Sequence, residues 1–340
     1  MKKTSHAAGS VHRLVVESGV LRGNLMGDPP ERRVDVYLPA GSDGSGLPLL
    51  VDLVGFTAGG PAHTNWVGFR ENVPERLDRL IGDGAMAPVA VAFPDCFTRV
   101  GGNQYVNSAA TGAWADFLIA EMLPAVEARF GCGGDGRRGV FGKSSGGYGA
   151  IVHALDHPDV WAAAACHSGD MAFELCYLPD MPDTLRALAR TDGDIEAWWT
   201  RLETARKTPD GAMKALNILA MAAHYDPDPA VFLGLRLPVT ADTCEIIPER
   251  WANWLAHDPL VKLERQSEGL RGLKGLYIDC GVSDQFNLVY GARRFHRRLG
   301  ELAIAHRYEE FDDNHSSVDY RMDVSLPYLA AALSEAAAAP

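Results

Sequence analysis

The stretch that decides the fold is Gly139-Val140-Phe141-Gly142-Lys143-Ser144-Ser145-Gly146-Gly147-Tyr148-Gly149-Ala150. A short apolar run ends in the pattern G-x-S-x-G, and an alanine- and glycine-rich helical pattern follows directly. This pattern predicts a nucleophile elbow, a sharp turn between strand and helix that exposes one serine above an α/β sheet. The turn strains the backbone of its central residue, so the flanking residues have to be small. Gly142 and Gly146 meet that requirement, which makes Ser144 the candidate nucleophile.

The same residues have two other interpretations. Gly142-Lys143-Ser144 resembles the end of a phosphate-binding loop, but that motif needs a glycine five residues before Gly142. That position holds Arg137, and Gly136 is one residue out of register. The register therefore disfavours a phosphate site. The second alternative is a tight glycine turn that has no catalytic role. The motif by itself does not exclude it.

Composition and charge narrow the classes of partner. The chain has 340 residues, of which 47% are hydrophobic, and this supports a substantial buried core. Its formal net charge of −12 would repel a nucleic-acid backbone, so no nucleic-acid partner is expected. No stretch approaches the roughly 20 apolar residues of a membrane-spanning helix. We therefore expect no membrane partner.

The cysteines and the N-terminal residues bear on location. The six cysteines are scattered and show no Cys-x-x-Cys spacing, which disfavours structural zinc and favours reduced thiols. The first residues lack the apolar stretch of a signal peptide. We expect a cytoplasmic protein, although a chain whose signal peptide had been removed would look the same.

Strand and helix patterns alternate along most of the chain. Predicted strands cover 12–17, 33–38, 47–54, 88–93, the run into the elbow, 160–166, 275–279 and 306–311. Predicted helices cover 73–81, 114–130, 146–155, 285–299 and 317–333. This alternation predicts an α/β fold with a mostly parallel, doubly wound sheet, in one domain over residues 11–336.

One segment interrupts the alternation. Residues from about 173 to 256 have a helical pattern, with predicted helices over 183–189, 195–206, 212–224 and 248–255. We interpret this segment as a helical cap inserted before the last two strands. It contains four of the seven tryptophans, namely Trp198, Trp199, Trp251 and Trp254. These side chains either hold the cap to the body or form the roof of a substrate pocket.

A serine nucleophile needs a base within hydrogen-bond reach and an acid that orients the base. In the chain order expected for an elbow of this kind, the acid follows the serine and the histidine comes last. Asp284 lies just past the end of a late strand, and Asp279 at the strand terminus is the alternative acid. His315 lies in the loop between the last strand and the last helix. His167 is the rival base, but it precedes both candidate acids.

The negative charge that develops on a carbonyl oxygen needs fixed hydrogen-bond donors, usually two backbone N–H groups. One is expected from Ser145, the residue after the nucleophile. The other is expected from the loop after the strand at 47–54, where Gly55 lets the backbone turn and Phe56 donates. A plain surface loop is the alternative interpretation of that segment.

Together these motifs resemble the esterase D and enterochelin-esterase-like family of α/β-hydrolases, relatives of S-formylglutathione hydrolases, feruloyl esterases and mycolyltransferases. The segment 142–150 resembles that family's G-x-S-M-G-G-x-G-A elbow, and 281–286 is similar to its G-x-x-D-x-F acid segment. His315-Ser316 resembles the end of its G-x-H-S base loop, and 50–60 its L-L-H-G oxyanion turn.

The resemblance and the residues imply a serine carboxylic-ester hydrolase that forms an acyl-enzyme on Ser144. Such an enzyme acts on a small-molecule ester and needs no metal and no organic cofactor. Two alternatives remain at this point. The same triad would serve an acyltransferase or a thioesterase similar to S-formylglutathione hydrolases, or the fold could be a ligand-binding module with an inactive site.

Overall fold

The computed structural model describes residues 6–334. Ten strands form two sheets. They are β1 (Ser10–Glu17), β2 (Glu31–Leu38), β3 (Leu49–Leu53), β4 (Ala90–Pro94), β5 (Asn107–Ser108), β6 (Gly112–Ala113), β7 (Arg138–Lys143), β8 (Ala163–His167), β9 (Gly275–Gly281) and β10 (Arg307–Phe311). The main sheet has the strand order β1-β2-β4-β3-β7-β8-β9-β10, and β5 pairs with β6 in a small hairpin.

The main sheet is mostly parallel. Strands β1, β2 and β4 pair antiparallel, whereas every pair from β4 through β3 and β7 to β10 is parallel. Strands β3, β4, β8 and β9 are buried along their whole length, as continuous apolar runs predict for strands covered on both faces. The predicted α/β-hydrolase architecture is confirmed.

Helices cover both faces of this sheet. They are α1 (Pro61–Thr64), α2 (Val73–Gly82), α3 (Trp114–Asp116), α4 (Leu123–Phe130), α5 (Ser145–Asp156), α6 (Phe173–Cys176), α7 (Met181–Leu188), α8 (Ile195–Thr204), α9 (Ala212–Tyr225), α10 (Pro248–Leu255), α11 (Pro259–Gln266), α12 (Glu268–Arg271), α13 (Leu288–Glu301) and α14 (Met322–Ser334). Apolar side chains of α2 and α14 pack on one face, and those of α4, α5 and α13 pack on the other.

Two predicted helices differ from the observed ones. The helix predicted over 114–130 contains a π-helical turn, Phe117–Met122, between α3 and α4. Pro124 has no N–H to donate to the preceding turn, so the helix widens before it. The last helix begins at Met322 rather than at residue 317, because Asp319–Arg321 forms a separate 3₁₀ turn.

The segment between β8 and β9 carries α6 to α12. The four helices predicted in the cap correspond to α7, α8, α9 and α10, while α6, α11 and α12 were not predicted. Cap residues share one hydrophobic core with Tyr148, Val152 and Leu288 of the body. The cap boundaries 173–256 stay a prediction, and positions 335 and 336 of the predicted domain lie outside the described residues.

Two further observations concern residues 6–334. No helix in this range combines the length and the apolar character that crossing a membrane requires. All six cysteines fall in the range and none is paired with another, and five of them are buried.

Candidate active site

Ser144 occupies the turn between β7 and α5. Its φ of 58° and ψ of −125° lie in a region that residues other than glycine rarely adopt. Two backbone hydrogen bonds hold the turn, since Ser144 N–H donates to His167 O at 2.9 Å and Tyr148 N–H donates to Ser144 O at 2.8 Å. The serine is partly exposed. The predicted elbow geometry is therefore present.

The glycines around Ser144 are required by close backbone contacts. A Cβ at Gly142 or at Gly146 would overlap the carbonyl oxygen of Leu53 on the neighbouring strand β3. Any side chain at these two positions would push the elbow away from the sheet. The G-x-S-x-G pattern thus follows from packing.

Asp284 and His315 are hydrogen-bonded to each other. His315 Nδ1 lies 2.8 Å from Asp284 Oδ2, and the carboxylate is fully buried. Asp284 Oδ1 accepts from the N–H of Phe286 at 2.9 Å, which fixes the acid. The backbone N–H of His315 donates to Gln285 Oε1 at 3.0 Å. With the carboxylate on Nδ1, the imidazole presents Nε2 as its free basic nitrogen.

The sheet brings the serine to the same edge as this pair. Cross-strand register aligns Lys143 with His167, His167 with Asp279, and Asp279 with Glu309, at the carboxyl ends of β7 to β10. The segments that carry Ser144, Asp284 and His315 continue from these ends. Among residues 6–334, Ser144 Oγ makes no hydrogen bond to His315, and such contacts are often long before substrate binds.

The two predicted oxyanion donors flank the same turn. A Cβ at Gly55 would lie 3.4 Å from Ser144 Cβ, so the loop that carries Phe56 touches the nucleophile. The N–H of Thr57 is bonded to Gly101 O at 2.8 Å. Within the described residues, the N–H groups of Phe56 and Ser145 donate to no protein acceptor. Both are therefore available to a bound carbonyl oxygen.

A comparison of the chain with models of protein families identifies its family. The family described as "Putative esterase" matches residues 29–326, which is most of the chain. The chain belongs to this esterase family. A comparison with curated proteins gave no significant match.

The esterase also shares its fold with solved structures. A ferulic acid esterase is 18% identical with a TM-score of 0.63, over 96% of this chain and 99% of that one. An S-formylglutathione hydrolase from Agrobacterium tumefaciens is 18% identical with a TM-score of 0.59, over 98% and 100% of the two chains. A fluorophosphonate-binding serine hydrolase from Staphylococcus aureus is 15% identical with a TM-score of 0.57, over 95% and 99%.

The alternative acid and base form a second, buried network. His167 Nδ1 bonds Asp279 Oδ1 at 2.7 Å, and His167 Nε2 bonds Ser325 Oγ at 2.8 Å. Burial opposes ionisation of Asp279, but His167 and Arg321 outweigh it and lower its pKa. All three members of this serine–histidine–aspartate chain are inaccessible. Their hydrogen bonds connect α14 to β8 and β9.

The four predicted substrate-binding tryptophans lie inside the cap. Trp198, Trp199, Trp251 and Trp254 are 6%, 1%, 9% and 0% exposed. Trp254 packs edge-on against Tyr177 and Tyr225, with ring centroids 5.9 and 5.6 Å away. Contact of these four side chains with substrate stays a prediction, and the structure assigns them to the cap core.

Three polar residues near the elbow escaped the sequence analysis. Gln104 Nε2 donates to Ser145 Oγ at 2.7 Å, and Tyr177 OH donates to Asp170 Oδ2 at 2.9 Å. The sequence signal for Asp170 was its position three residues after β8, a buried strand that pairs with β7 of the elbow.

Within residues 6–334, no three His, Cys, Asp or Glu side chains are grouped as a metal site would need.

Proposed function

We propose that this esterase is a serine carboxylic-ester hydrolase in which Ser144, His315 and Asp284 form the catalytic triad. Its partner is a small-molecule ester. The observation that carries the proposal is the buried bond of 2.8 Å between Asp284 and His315, at the sheet edge where the strained elbow presents Ser144. We also propose a cytoplasmic location, because unpaired cysteines suit a reducing compartment.

The reaction follows from these positions. Ser144 Oγ attacks the carbonyl carbon of the ester while His315 Nε2 takes its proton, and the buried Asp284 stabilises the imidazolium that forms. The N–H groups of Phe56 and Ser145 hold the negative oxygen of the tetrahedral intermediate. Collapse breaks the bond to the alcohol, which leaves with the proton from His315.

Hydrolysis of the acyl-enzyme repeats the sequence with water. His315 Nε2 removes a proton from water as its oxygen attacks the acyl carbon, and the second intermediate collapses to release the acid and return the proton to Ser144. Each step conserves protons within the triad and the substrate. The residues at the site therefore account for a complete turnover.

The test compares turnover of 4-nitrophenyl acetate by wild type, Ser144→Ala, His315→Ala and the double variant. Each single substitution should lower kcat by about 10⁴- to 10⁶-fold. The double variant should be no slower than the slower single variant, because the two groups act as one unit. Turnover by Ser144→Ala within tenfold of wild type would refute the proposal.

A further inference from the structure

Asp170 is a buried carboxylate that the hydrolytic mechanism does not use. It lies three residues after β8, in a loop that packs on the first turn of α5. A Cβ at Gly169 would lie 2.8 Å from both Gly147 C and Tyr148 N, so the two backbones are in direct contact. Asp170 therefore lies beside the turn that presents the nucleophile, and it is only 7% exposed.

The hydrogen bonds of Asp170 leave it incompletely satisfied. Tyr177 OH donates to Oδ2 at 2.9 Å, whereas Oδ1 accepts no hydrogen bond of good geometry from residues 6–334. Within the same residues no Lys, Arg or His forms an ion pair with it. Ser145 Oγ lies nearby and already accepts from Gln104 Nε2, so its own proton is free to turn toward Asp170.

Asp258 shows what a structural carboxylate looks like in the same region. It is also buried, and it accepts backbone N–H groups from Ala172 at 3.3 Å, Phe173 at 2.7 Å and Leu260 at 2.9 Å. Those bonds explain its burial, because they compensate the lost hydration. Asp170 has no comparable set of donors.

The reacting groups act on Asp170. Burial raises its pKa to about 6, while the hydroxyls of Tyr177 and Ser145 and the charge of His315 lower it and the charge of Asp284 raises it. Burial therefore opposes the ionised form of this carboxylate. A buried negative charge without a cationic partner is unfavourable unless a hydrogen-bond donor compensates it.

An acceptor without a hydrogen-bond partner lies close by. Gln104 is fully buried, and its Oε1 has no hydrogen-bond partner while its Nε2 contacts Ser145. Ser145 thus lies between Asp170 and Gln104, and its N–H is the proposed oxyanion donor. In the proposed mechanism that N–H holds the acyl carbonyl, which puts groups beside Ser145 on the acyl side of the site.

We propose that Asp170 is a specificity residue that binds a hydrogen-bond donor, a hydroxyl or an ammonium group, on the acyl part of the ester. This inference rests on the proposed esterase function. Asp170 Oδ1 accepts the donor, and Tyr177 holds Oδ2 in place. The preferred substrates are esters of hydroxy acids or amino acids whose acyl part is otherwise apolar.

The test uses three matched esters, methyl butyrate, methyl 3-hydroxybutyrate and methyl 3-aminobutyrate, with acid release followed by titration. Wild type should show kcat/KM at least about tenfold higher for one or both donor-bearing esters than for methyl butyrate. The hydroxyl and ammonium arms identify which donor the site takes. Asp170→Asn should lower that ratio about tenfold or more.

Asp258→Asn is the matched control, because it changes a second buried aspartate with backbone partners and should leave the ratio unchanged. If Asp170→Asn does not fold, the wild-type ratios and the Tyr177→Phe variant, whose ratio should also fall, decide the question. Equal kcat/KM for all three esters in an active wild-type enzyme would overturn the inference about Asp170 but not the proposed esterase function. No hydrolysis of any ester, with Ser144 unreactive toward a fluorophosphonate, would overturn the proposed function itself.

Discussion

Gly55 and Gly146 both contact the turn that carries Ser144, but a methyl group would meet different surroundings at each position. At Gly146 it would overlap Leu53 O, a backbone atom of β3 that cannot move aside. At Gly55 it would lie 3.3 Å from Lys143 O and 3.4 Å from Ser144 Cβ, which a small shift relieves. Stability and catalysis should therefore separate at these two residues.

Gly146→Ala is expected to destabilise the protein by about 3 kcal/mol or more, since the overlap forces the elbow off the sheet. Gly55→Ala should cost about 1 kcal/mol, yet lower kcat about tenfold because it displaces the N–H of Phe56. Urea unfolding and ester turnover measure the two effects. A stable Gly146→Ala variant with wild-type kcat would contradict the packing argument.

Single residues could be proposed as candidates where a local pattern marks them. Ser144, Asp284, His315 and Phe56 each follow a strand of the main sheet, and the elbow motif together with the order along the chain selected them. Gln104 was not predictable, since its contact with Ser145 joins residues 41 positions apart.

At the scale of elements, Arg321 connects the start of α14 to the sheet. Its Nε donates to Asp279 Oδ2 at 2.9 Å and its Nη2 donates to Tyr277 OH at 2.8 Å and to Glu309. Burial opposes ionisation of both carboxyl groups, but their basic partners lower the pKa of Asp279 and of Glu309. A carboxyl group with a lowered folded-state pKa stabilises the fold above its unfolded pKa of about 4.

Arg321→Gln should therefore cost about 3 kcal/mol at pH 7, because it leaves Asp279 buried with one cationic partner fewer. The difference from wild type should shrink as the pH falls from 6 to 3, since protonation removes the charges that Arg321 stabilises. Urea unfolding at several pH values measures it. Arg298→Gln, which breaks exposed pairs, is the control with a much smaller effect. A pH-independent difference for Arg321→Gln would contradict the network.

Helices and strands were predictable where the spacing of apolar residues was regular. The helices over 183–189, 195–206, 212–224 and 248–255 and the strands of the main sheet were found within a few residues of their observed ends. The π-helical turn before Pro124 and the 3₁₀ turn Asp319–Arg321 were missed, because the spacing of apolar residues does not distinguish these turns from an α-helix.

At the scale of the molecule, the cap and the body share one core. Trp254 is fully buried among Tyr177, Tyr225 and Trp251, and this cluster continues into Tyr148 of α5. Cap and body should therefore unfold in one cooperative transition. The helical run without strand signals predicted the cap, whereas the shared core depends on contacts that no sequence pattern revealed.

Trp254→Ala is expected to lower the free energy of unfolding by about 3–5 kcal/mol, because it leaves a large cavity in this core. Trp66→Ala, at a side chain that is 72% exposed, should change it by about 0.5 kcal/mol or less. Circular dichroism and tryptophan fluorescence should report the same urea midpoint for each protein. Two separate transitions in wild type would show that the cap folds on its own.

If the His315–Asp284 pair activates Ser144, the serine should react with a fluorophosphonate, and peptide mapping after that reaction tests this directly. We expect one adduct, on Ser144, in wild type and in Ser325→Ala, which disrupts only the buried second network. His315→Ala should carry none. An adduct on another residue, or equal labelling of His315→Ala, would show that this pair does not activate Ser144.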